Sequence, residues 1–494
     1  MPLPILASLV SNYYPQSYIT HISVSIISIL AVRTYALGRS TNRERDLHGR
    51  VILLTGAFSP LGSTLLEALA RRGAHVIALT HHPVDAPEVK LIIEALRETT
   101  KNEKIYAEHC DTLSLSSTRA FCTQFLTGKE HRLDAIILAH EYSHIGPFLG
   151  YISKDAREKY ERERTLSSDC TFLMSTLLLP TLLVAPPERD IRIITLVNPF
   201  YAAAIPHFPQ PPYNENSQLL REGYRALKTT ILTRHLQRVF DALPQAPAPN
   251  PDTATAAAAS TKAQKSNIVA VSVSPGFSRP DVIAPILRAD FKREDFSVWG
   301  MLIYIILLPI LFIIAKSPSH AIQSVLHALF LPTPFKFASM TPKGSDPQSS
   351  SSSSATITSE DPEEILKPGA LYSDCSVVKI NLPNRAPLPE SELSGADVQK
   401  AGDAGAKEKD KDKEKADVDV DMDVKDDGEY GGEALGRFVW EEYEKSLKTG
   451  EAALKEKDGG SDGSGGGNDN DNNNSNKTGS SVGSSPRKVD KKKD

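Results

Sequence analysis

The stretch from residue 50 to residue 80 constrains the fold more than any other part of the chain. Its first strand, Val51 to Leu54, is wholly apolar and is broken by a Thr-Gly pair. A helical pattern with leucines on one face then starts near Gly62, and a second apolar strand covers Val76 to Leu79. A strand, a tight glycine turn, a helix and a second strand predict a βαβ unit. The turn of such a unit can hold phosphates at the helix N-terminus.

The apolar sequence that follows continues the alternation of strands and helices. Apolar stretches at residues 133–139, 192–198 and 268–276 are typical of buried strands, and residues 105–108 form a shorter one. This pattern predicts an α/β fold with a doubly wound parallel sheet of the Rossmann type. Regular apolar spacing ends near residue 335, so we expect one large domain over residues 49–335.

Composition excludes several classes of function. The chain has 61 acidic and 56 basic residues, and the two signs are mixed along its length. A net charge of −5 without a basic stripe argues against a nucleic-acid partner. The four cysteines are scattered and have no paired spacing, which argues against a disulfide scaffold or a metal site and fits a reducing compartment. They are Cys110, Cys122, Cys170 and Cys375.

The glycine turn resembles the TGxxxGxG fingerprint of the short-chain dehydrogenase/reductase family. Thr55, Gly56 and Gly62 match it, whereas Pro60 stands at the position of the middle glycine, which is lost. Proline fixes φ and has no N–H to offer a phosphate, so this departure affects nucleotide affinity. The resemblance implies cofactor-binding roles for Thr55, Gly56, Leu61 and Gly62.

The same resemblance implies further cofactor contacts at the ends of later strands. Asp111 matches an aspartate that contacts the adenine ring, and Pro275 and Gly276 match a turn beside the nicotinamide. The fourth strand of the family ends in Asn-Asn-Ala-Gly, whereas this chain has Leu-Ala-His-Glu. Ala139 is the cofactor-binding position there, and Glu141 replaces the glycine that lets the cofactor approach the backbone.

Residues 80–82, Thr-His-His, follow the second strand, where an acid would bind the ribose hydroxyl of NAD. The absence of an acid favours NADP over NAD as the cofactor. The alternative interpretation is that the two histidines are solvated loop residues without a cofactor role.

The resemblance also implies a catalytic set. Tyr224 and Lys228 match the Tyr-x-x-x-Lys pair of the family, in which the tyrosine donates a proton and the lysine lowers its pKa and holds the nicotinamide ribose. Asn198 stands near the position of the catalytic serine, where its amide could polarise a carbonyl. Ser167 stands at the position of the asparagine of the proton relay. From spacing alone, Tyr224 and Lys228 share one face of a helix.

Residues 18–37 form an apolar run outside the βαβ pattern, after an N-terminal segment of residues 1–17. No Lys or Arg precedes the run, whereas Arg33 and Arg39 belong to a basic group at its end. We expect a membrane anchor helix with the following domain on the cytosolic side. The expected compartments are the endoplasmic reticulum with lipid droplets, or the mitochondrial outer membrane. The alternative is a buried helix of the soluble domain.

A second apolar stretch, residues 298–315, carries no charge and falls where the family places its substrate-binding helices. A helix that is apolar on every face favours membrane contact over a buried lid. Because the segments on both sides of it belong to the domain, we expect an interfacial or re-entrant insertion.

The C-terminal third changes character. Two pieces resemble the final strand and closing helix of the retinol-dehydrogenase branch of the family, and we expect them to pack on the domain. The remainder is polar, and its low hydrophobicity predicts disorder. The pieces are residues 369–379 and 435–447; the linker is 344–360, a low-complexity insertion is 244–265, and the disordered segments are 387–433 and 459–494.

Two functional hypotheses follow. In the first, the chain is a membrane-associated, NADP-dependent oxidoreductase of a lipophilic alcohol or carbonyl, similar to a fungal branch of the family. In the second, it has lost the chemistry and serves as a membrane-tethered scaffold, as Pro60, Glu141, Ser167 and Asn198 suggest. The expected partners are a lipid surface and a lipophilic small molecule, and a homodimer is left open.

Overall fold

A computed structural model describes the parts of the chain that carry the apolar pattern. The predicted insertion 244–265, the linker 344–360 and residues 387–425 and 460–494 of the predicted disordered segments lie outside the described residues. The described residues are 16–128, 132–143, 145–146, 154–184, 189–209, 218–243, 266–291, 296–334, 364–383 and 426–459.

An eight-stranded sheet forms the centre of the fold, in the spatial order β3-β2-β1-β4-β5-β6-β7-β8. Strands β1 to β7 run parallel, and only β8 among these eight is antiparallel to its neighbour. The reversal of strand order between β1 and β4 confirms the predicted doubly wound sheet. The strands are β1 Val51–Thr55, β2 His75–Thr80, β3 Ile105–His109, β4 Ala135–Leu138, β5 Ile191–Leu196, β6 Ile268–Ser274, β7 Leu371–Ser373 and β8 Ser376–Val378.

Helices cover both faces of the sheet. The core on one face includes side chains of α2, α3 and α8, and the core on the other includes side chains of α4, α5 and α6. The longer helices are α1 Gln16–Leu37, α2 Pro60–Ala70, α3 Pro87–Thr100, α4 Leu115–Thr127, α5 Lys154–Leu177, α6 Gln218–Ala242, α7 Val298–Ile314, α8 Pro318–Phe330 and α9 Gly432–Gly459. Short helical segments are His140–Ser143, Leu179–Leu183, Tyr201–Ala204, Arg279–Ile283, Ala284–Ile286 and Glu429–Gly431.

The C-terminal helix packs on α6 along its first turns. Val439 and Tyr443 are fully buried, and the ring of Tyr443 stacks on Phe172 of α5 at 5.4 Å between centroids. A second compact unit begins at Lys448, and its described part continues α9 as far as Gly459.

Residues 426–433 differ from the prediction of disorder, because the structure gives them a defined place. The guanidinium of Arg238 donates to the carboxylate of Asp427 at 2.6 Å and to the carbonyl of Gly432 at 2.9 Å. The Tyr430 hydroxyl accepts a hydrogen bond from the backbone N–H of Leu371 at 3.0 Å. Polar composition suggested a solvated segment, whereas these contacts order it against α6 and β7.

Helices α1 and α7 lie side by side and leave their apolar side chains exposed. The Arg33 guanidinium of α1 lies 4.2 Å from the centre of the Phe312 ring of α7 and donates to the Phe312 carbonyl. Both ends of α7 are fastened to the domain, since Ser297 N–H donates to Arg288 O and Lys316 N–H donates to Phe277 O. Helix α7 therefore lies along the domain surface.

Two helical stretches among the described residues are long and apolar enough to cross a membrane. Thr20–Leu37 is the first, and none of it is buried. The second, Lys154–Leu183, is 67% buried and supplies core side chains of the α/β domain. Helix α7 is shorter, with 17 residues.

Candidate cofactor and catalytic site

The glycine turn joins the ends of β1 and β4. The Thr55 hydroxyl accepts a hydrogen bond from Ala139 N–H at 2.9 Å and lies 2.8 Å from Nδ1 of His140. Gly56 has a φ of +64°, and a Cβ there would lie 3.0 Å from the backbone of His140. A glycine is therefore required for both the backbone conformation and the close approach.

The turn leads directly into α2. Ser59 is the N-cap, and its hydroxyl accepts from Gly62 N–H at 3.0 Å. Pro60 occupies the first helical turn, where its fixed φ is favourable and its missing N–H costs little. A Cβ on Gly62 would overlap the carbonyl oxygen of Gly56. The backbone is thus shaped like a dinucleotide turn despite the lost middle glycine.

A carboxylate of the chain itself lies at the N-terminus of α2. Oδ1 of Asp281 accepts from Leu61 N–H at 3.0 Å, and its Oδ2 accepts from the Ser278 hydroxyl at 2.7 Å. The Asp281 residue is only 2% exposed, and burial raises its pKa. Sequence reasoning missed this residue, whose only signal is an acid shortly after the Pro275-Gly276 turn.

A second side chain crosses from the end of β4 to the loop after β6. Tyr142 is completely buried, and its hydroxyl donates to the Gly276 carbonyl at 2.7 Å. The same oxygen accepts from Ser278 N–H at 3.3 Å. Sequence reasoning also missed Tyr142, which ties the two loops that flank the carboxyl end of β5.

The glutamate that replaces a family glycine is buried in a polar network. Glu141 Oε2 accepts from the Thr229 hydroxyl at 3.1 Å, and Oε1 accepts from the Thr171 hydroxyl. The Thr229 hydroxyl also lies 3.2 Å from the Tyr443 hydroxyl of α9. Burial raises the pKa of Glu141, while burial lowers the pKa of His140 to about 4. A neutral His140 is therefore favoured at neutral pH.

Asn198 and Ser167 are buried, and their polar groups bond within the chain. The Asn198 amide donates to the Glu222 carbonyl at 3.2 Å and accepts from Phe200 N–H at 3.1 Å. The Ser167 carbonyl lies 3.0 Å from Nε2 of His140. Asn198 thus links the end of β5 to the first turns of α6.

The side chains of Tyr224 and Lys228 have their polar contacts with different neighbours. The Tyr224 hydroxyl donates to the Pro209 carbonyl at 3.2 Å, and burial together with Glu442 raises its pKa. Lys228 Nζ lies 2.9 Å from a carboxylate oxygen of Glu442 and 4.1 Å from the centre of the Tyr443 ring. In this conformation the Lys228 ammonium is paired with α9. The raised pKa of Tyr224 disfavours loss of its phenolic proton.

The predicted adenine and ribose residues are also described. Asp111 Oδ1 accepts from Leu113 N–H at 3.0 Å, which stabilises the turn before α4. The Thr80 hydroxyl accepts from His82 N–H at 3.1 Å. Burial and the neighbouring His82 lower the pKa of His81, so this imidazole is neutral at pH 7 and offers no charge to a 2′-phosphate.

The Pro275-Gly276 turn carries a buried lysine beside it. Lys316 Nζ donates to the Pro275 carbonyl at 3.2 Å and forms an ion pair with Asp374. Gly276 has a φ of +91°, and a Cβ there would lie 3.0 Å from Lys316 Nζ. The lysine therefore fills space next to the turn that the family resemblance assigns to the nicotinamide.

The N–H groups at the start of α2 already have acceptors within the chain. Of the first three helical positions, Pro60 has no N–H, Leu61 N–H is bonded to Asp281, and Gly62 N–H is bonded to Ser59. The carboxylate of Asp281 thus stands where helix geometry places a phosphate. In this conformation a dinucleotide pyrophosphate and Asp281 compete for the same donor.

The described residues contain no group of three or more His, Cys, Asp or Glu side chains arranged to hold a metal ion. The four cysteines are free and buried.

Three curated proteins illustrate what the chain is similar to; no family model matches it. "Uncharacterized oxidoreductase pbr1" of Schizosaccharomyces pombe is 26% identical over 348 residues, covering 69% of this chain and 86% of the relative. "Dehydrogenase/reductase SDR family member 13" of Homo sapiens is 33% identical over 148 residues, 30% of this chain and 36% of the relative. "Polyprenol dehydrogenase" of Homo sapiens is 24% identical over 263 residues, 51% of this chain and 70% of the relative.

Proposed function

We propose that this chain, a member of the short-chain dehydrogenase/reductase superfamily, is an oxidoreductase that acts at a lipid surface on a lipophilic alcohol or carbonyl, with NADP as the hydride carrier. The observation that carries the proposal is the position of the Tyr224–Lys228 pair. The Asn198–Glu222 hydrogen bond holds the first turns of α6 at the carboxyl end of β5. Ligands of open α/β sheets bind at that end of the strands.

The lipid surface is supported by the exposed apolar helices. Trp299 of α7 is 75% exposed, and the Thr20–Leu37 stretch of α1 is not buried at all. Two adjacent exposed apolar helices are stabilised by contact with acyl chains rather than water. A domain held there would receive substrates that are dissolved in the membrane. A dehydrogenase of a polyprenol among the relatives fits this substrate class.

The proposed chemistry requires a rearrangement from the described conformation. Tyr224 would donate the proton, and Lys228 would lower its pKa, which requires the ammonium to leave Glu442. The Asn198 amide has two N–H groups, and one would have to turn to the substrate oxygen while the other keeps the Glu222 carbonyl.

A specific observation favours a second candidate function, a non-catalytic, membrane-tethered Rossmann protein. Lys228 is held by Glu442 and Tyr443, and Glu141 has two threonine donors where the family has a glycine. These contacts stabilise the fold without any need for a cofactor.

Nucleotide binding separates the two candidates. We would purify the full-length protein in a mild detergent and titrate it with NADPH and NADH, reading intrinsic fluorescence and the unfolding midpoint. The enzyme proposal expects NADPH binding that survives Tyr224→Phe, while turnover of a long-chain aldehyde disappears in that variant. Tyr106→Phe, on the exposed edge strand β3, is the matched control and should keep both. Absence of binding by both nucleotides at millimolar concentration would leave only the second candidate.

Membrane attachment and its compartment are tested separately. Carbonate extraction of cell membranes should leave the full-length protein in the pellet, and its release would refute the anchor. The endoplasmic reticulum with lipid droplets, or the mitochondrial outer membrane, is the proposed location with the domain in the cytosol. Protease accessibility of the domain in sealed organelles checks that orientation.

A further inference from the structure

We infer that Asp281 is a built-in latch: its carboxylate occupies the pyrophosphate position of the glycine turn, and nucleotide binds only after the loop that carries it moves away. This inference rests on the proposed function, because it concerns how the same turn takes its cofactor. It requires the segment of residues 275–283, which carries Asp281, to move before nucleotide binds.

The backbone N–H groups in the first turn of α2 are already bonded within the chain. A pyrophosphate needs free backbone N–H groups at a helix N-terminus. Pro60 supplies none, and the N–H groups of Leu61 and Gly62 are already bonded to Asp281 and Ser59. Ser59 is local to the turn, whereas Asp281 lies 220 positions from Leu61 in sequence. The Leu61 donor is therefore satisfied by a residue from another segment of the chain.

The group that accepts from Leu61 N–H is the carboxyl of Asp281. A carboxylate presents the same kind of charged oxygen as a phosphate, and charge-assisted hydrogen bonds to backbone N–H groups are among the stronger ones. Asp281 is also oriented by the Ser278 hydroxyl at 2.7 Å. A nucleotide that entered beside an ionised Asp281 would place two negative charges against one donor, so simultaneous binding is disfavoured.

The loop that carries Asp281 is attached to the domain on two sides. Tyr142 fixes it from one side through Gly276 and Ser278. On the other side Arg279 N–H donates to the Lys316 carbonyl at 3.1 Å, and the Arg279 guanidinium lies 4.8 Å from the centre of the Phe312 ring of α7. The loop is thus held by these polar contacts, by ring contacts of Arg279 with Phe312 and of Phe277 with Phe200, and by Val282, which is fully buried in the core. Opening the latch requires these contacts to be exchanged.

The test measures binding of two probes, NADPH and inorganic pyrophosphate, to the full-length protein in detergent. Asp281→Ala should bind NADPH with a Kd roughly 10- to 100-fold lower than the wild-type protein, because the Leu61 donor is released. Asp281→Asn keeps an acceptor without the charge and should fall between them. Asp46→Asn removes an exposed carboxylate before β1, at the end of the strand away from the turn, and its Kd should equal that of the wild-type protein.

The outcomes distinguish the latch from the proposed function. If pyrophosphate raises the unfolding midpoint of Asp281→Ala but NADPH does not, the latch stands and the NADP proposal fails. If neither probe binds Asp281→Ala or Asp281→Asn more tightly than the wild-type protein, the latch is refuted. Should Asp281→Ala fail to fold, Asp281→Asn decides alone, since its amide oxygen can still accept from Leu61 N–H.

Discussion

Replacing Arg192 with methionine should destabilise the domain by several kcal/mol, and the reason is visible at the start of β5. Arg192 is only 1% exposed. Its guanidinium bonds Asp190 at 2.8 and 3.2 Å and also donates to the Ala328 carbonyl at 2.7 Å and the Leu331 carbonyl at 2.6 Å. One side chain therefore connects the central sheet to α8.

The magnitude follows from what methionine leaves behind. In the variant, Arg45 at 2.8 Å would be the remaining ion-pair partner of the buried Asp190 carboxylate within the described part of the chain. Removing one member of a buried ion pair typically costs about 3–5 kcal/mol. We expect a loss in this range in the free energy of unfolding at pH 7.

The change of the free energy of unfolding with pH is a second, independent measurement of the same ion pair. Burial alone would raise the pKa of Asp190, but Arg192 and Arg45 outweigh it and lower the pKa from 3.8 to about 2. The wild-type protein therefore gains roughly 2 kcal/mol from this group above pH 4 and loses it as the pH falls through 2. In Arg192→Met the burial effect dominates, so this loss should shrink or reverse.

Urea unfolding followed by far-UV circular dichroism, in detergent and between pH 3 and pH 7, measures both quantities. Asp190→Asn in the Arg192→Met background should recover part of the lost stability, because the unpaired charge is gone. Arg71→Met is the matched control, since Arg71 pairs with Glu67 on the surface of α2 and should change stability by less than about 0.5 kcal/mol. An Arg192→Met variant within 1 kcal/mol of the wild-type protein at pH 7, on this scale, would refute the reasoning.

Three further predictions concern the turn, the cleft and the thiols. Gly62→Ala should lower the unfolding midpoint strongly, because its Cβ would overlap the Gly56 carbonyl, and thermal unfolding measures this. Tyr142→Phe should cost about 1–3 kcal/mol in urea unfolding, because the Gly276 carbonyl loses a buried hydrogen bond. Burial raises the pKa of every cysteine, so Ellman's reagent should label none in the folded protein and four after unfolding. These cysteines are Cys110, Cys122, Cys170 and Cys375.

The central α/β fold could be predicted from the sequence, because its signals are local. Apolar runs of four to seven residues alternate with helical patterns, and a buried strand needs little more than such a run. The glycine turn could also be predicted, since Gly56 adopts a positive φ that few other residues tolerate. Both features depend on residues that are neighbours in sequence. A local pattern was therefore sufficient to predict the doubly wound sheet, which the structure confirms.

The side chains that contact the glycine turn and α6 could not be predicted, because they come from parts of the chain that are distant in sequence. Asp281 meets Leu61 across 220 positions, and Tyr443 meets Thr229 across 214. Spacing within one helix indicated that Tyr224 and Lys228 share a face, but not that α9 would supply Glu442 to the lysine. Contacts of this kind depend on how helices and loops that are distant in sequence pack together. A local sequence pattern does not predict that packing.

The departures from the family pattern are matched by new partners. Glu141, which replaces a glycine, receives hydrogen bonds from Thr171 and Thr229. Pro60 leaves a turn with few free donors, and Asp281 takes one of them. Because each altered residue is bonded to others, reverting one alone would remove hydrogen bonds from buried polar groups. Glu141→Gly, for example, removes one acceptor from each of two threonines, so restoring the family pattern here requires coordinated changes at Glu141 and on α5 and α6.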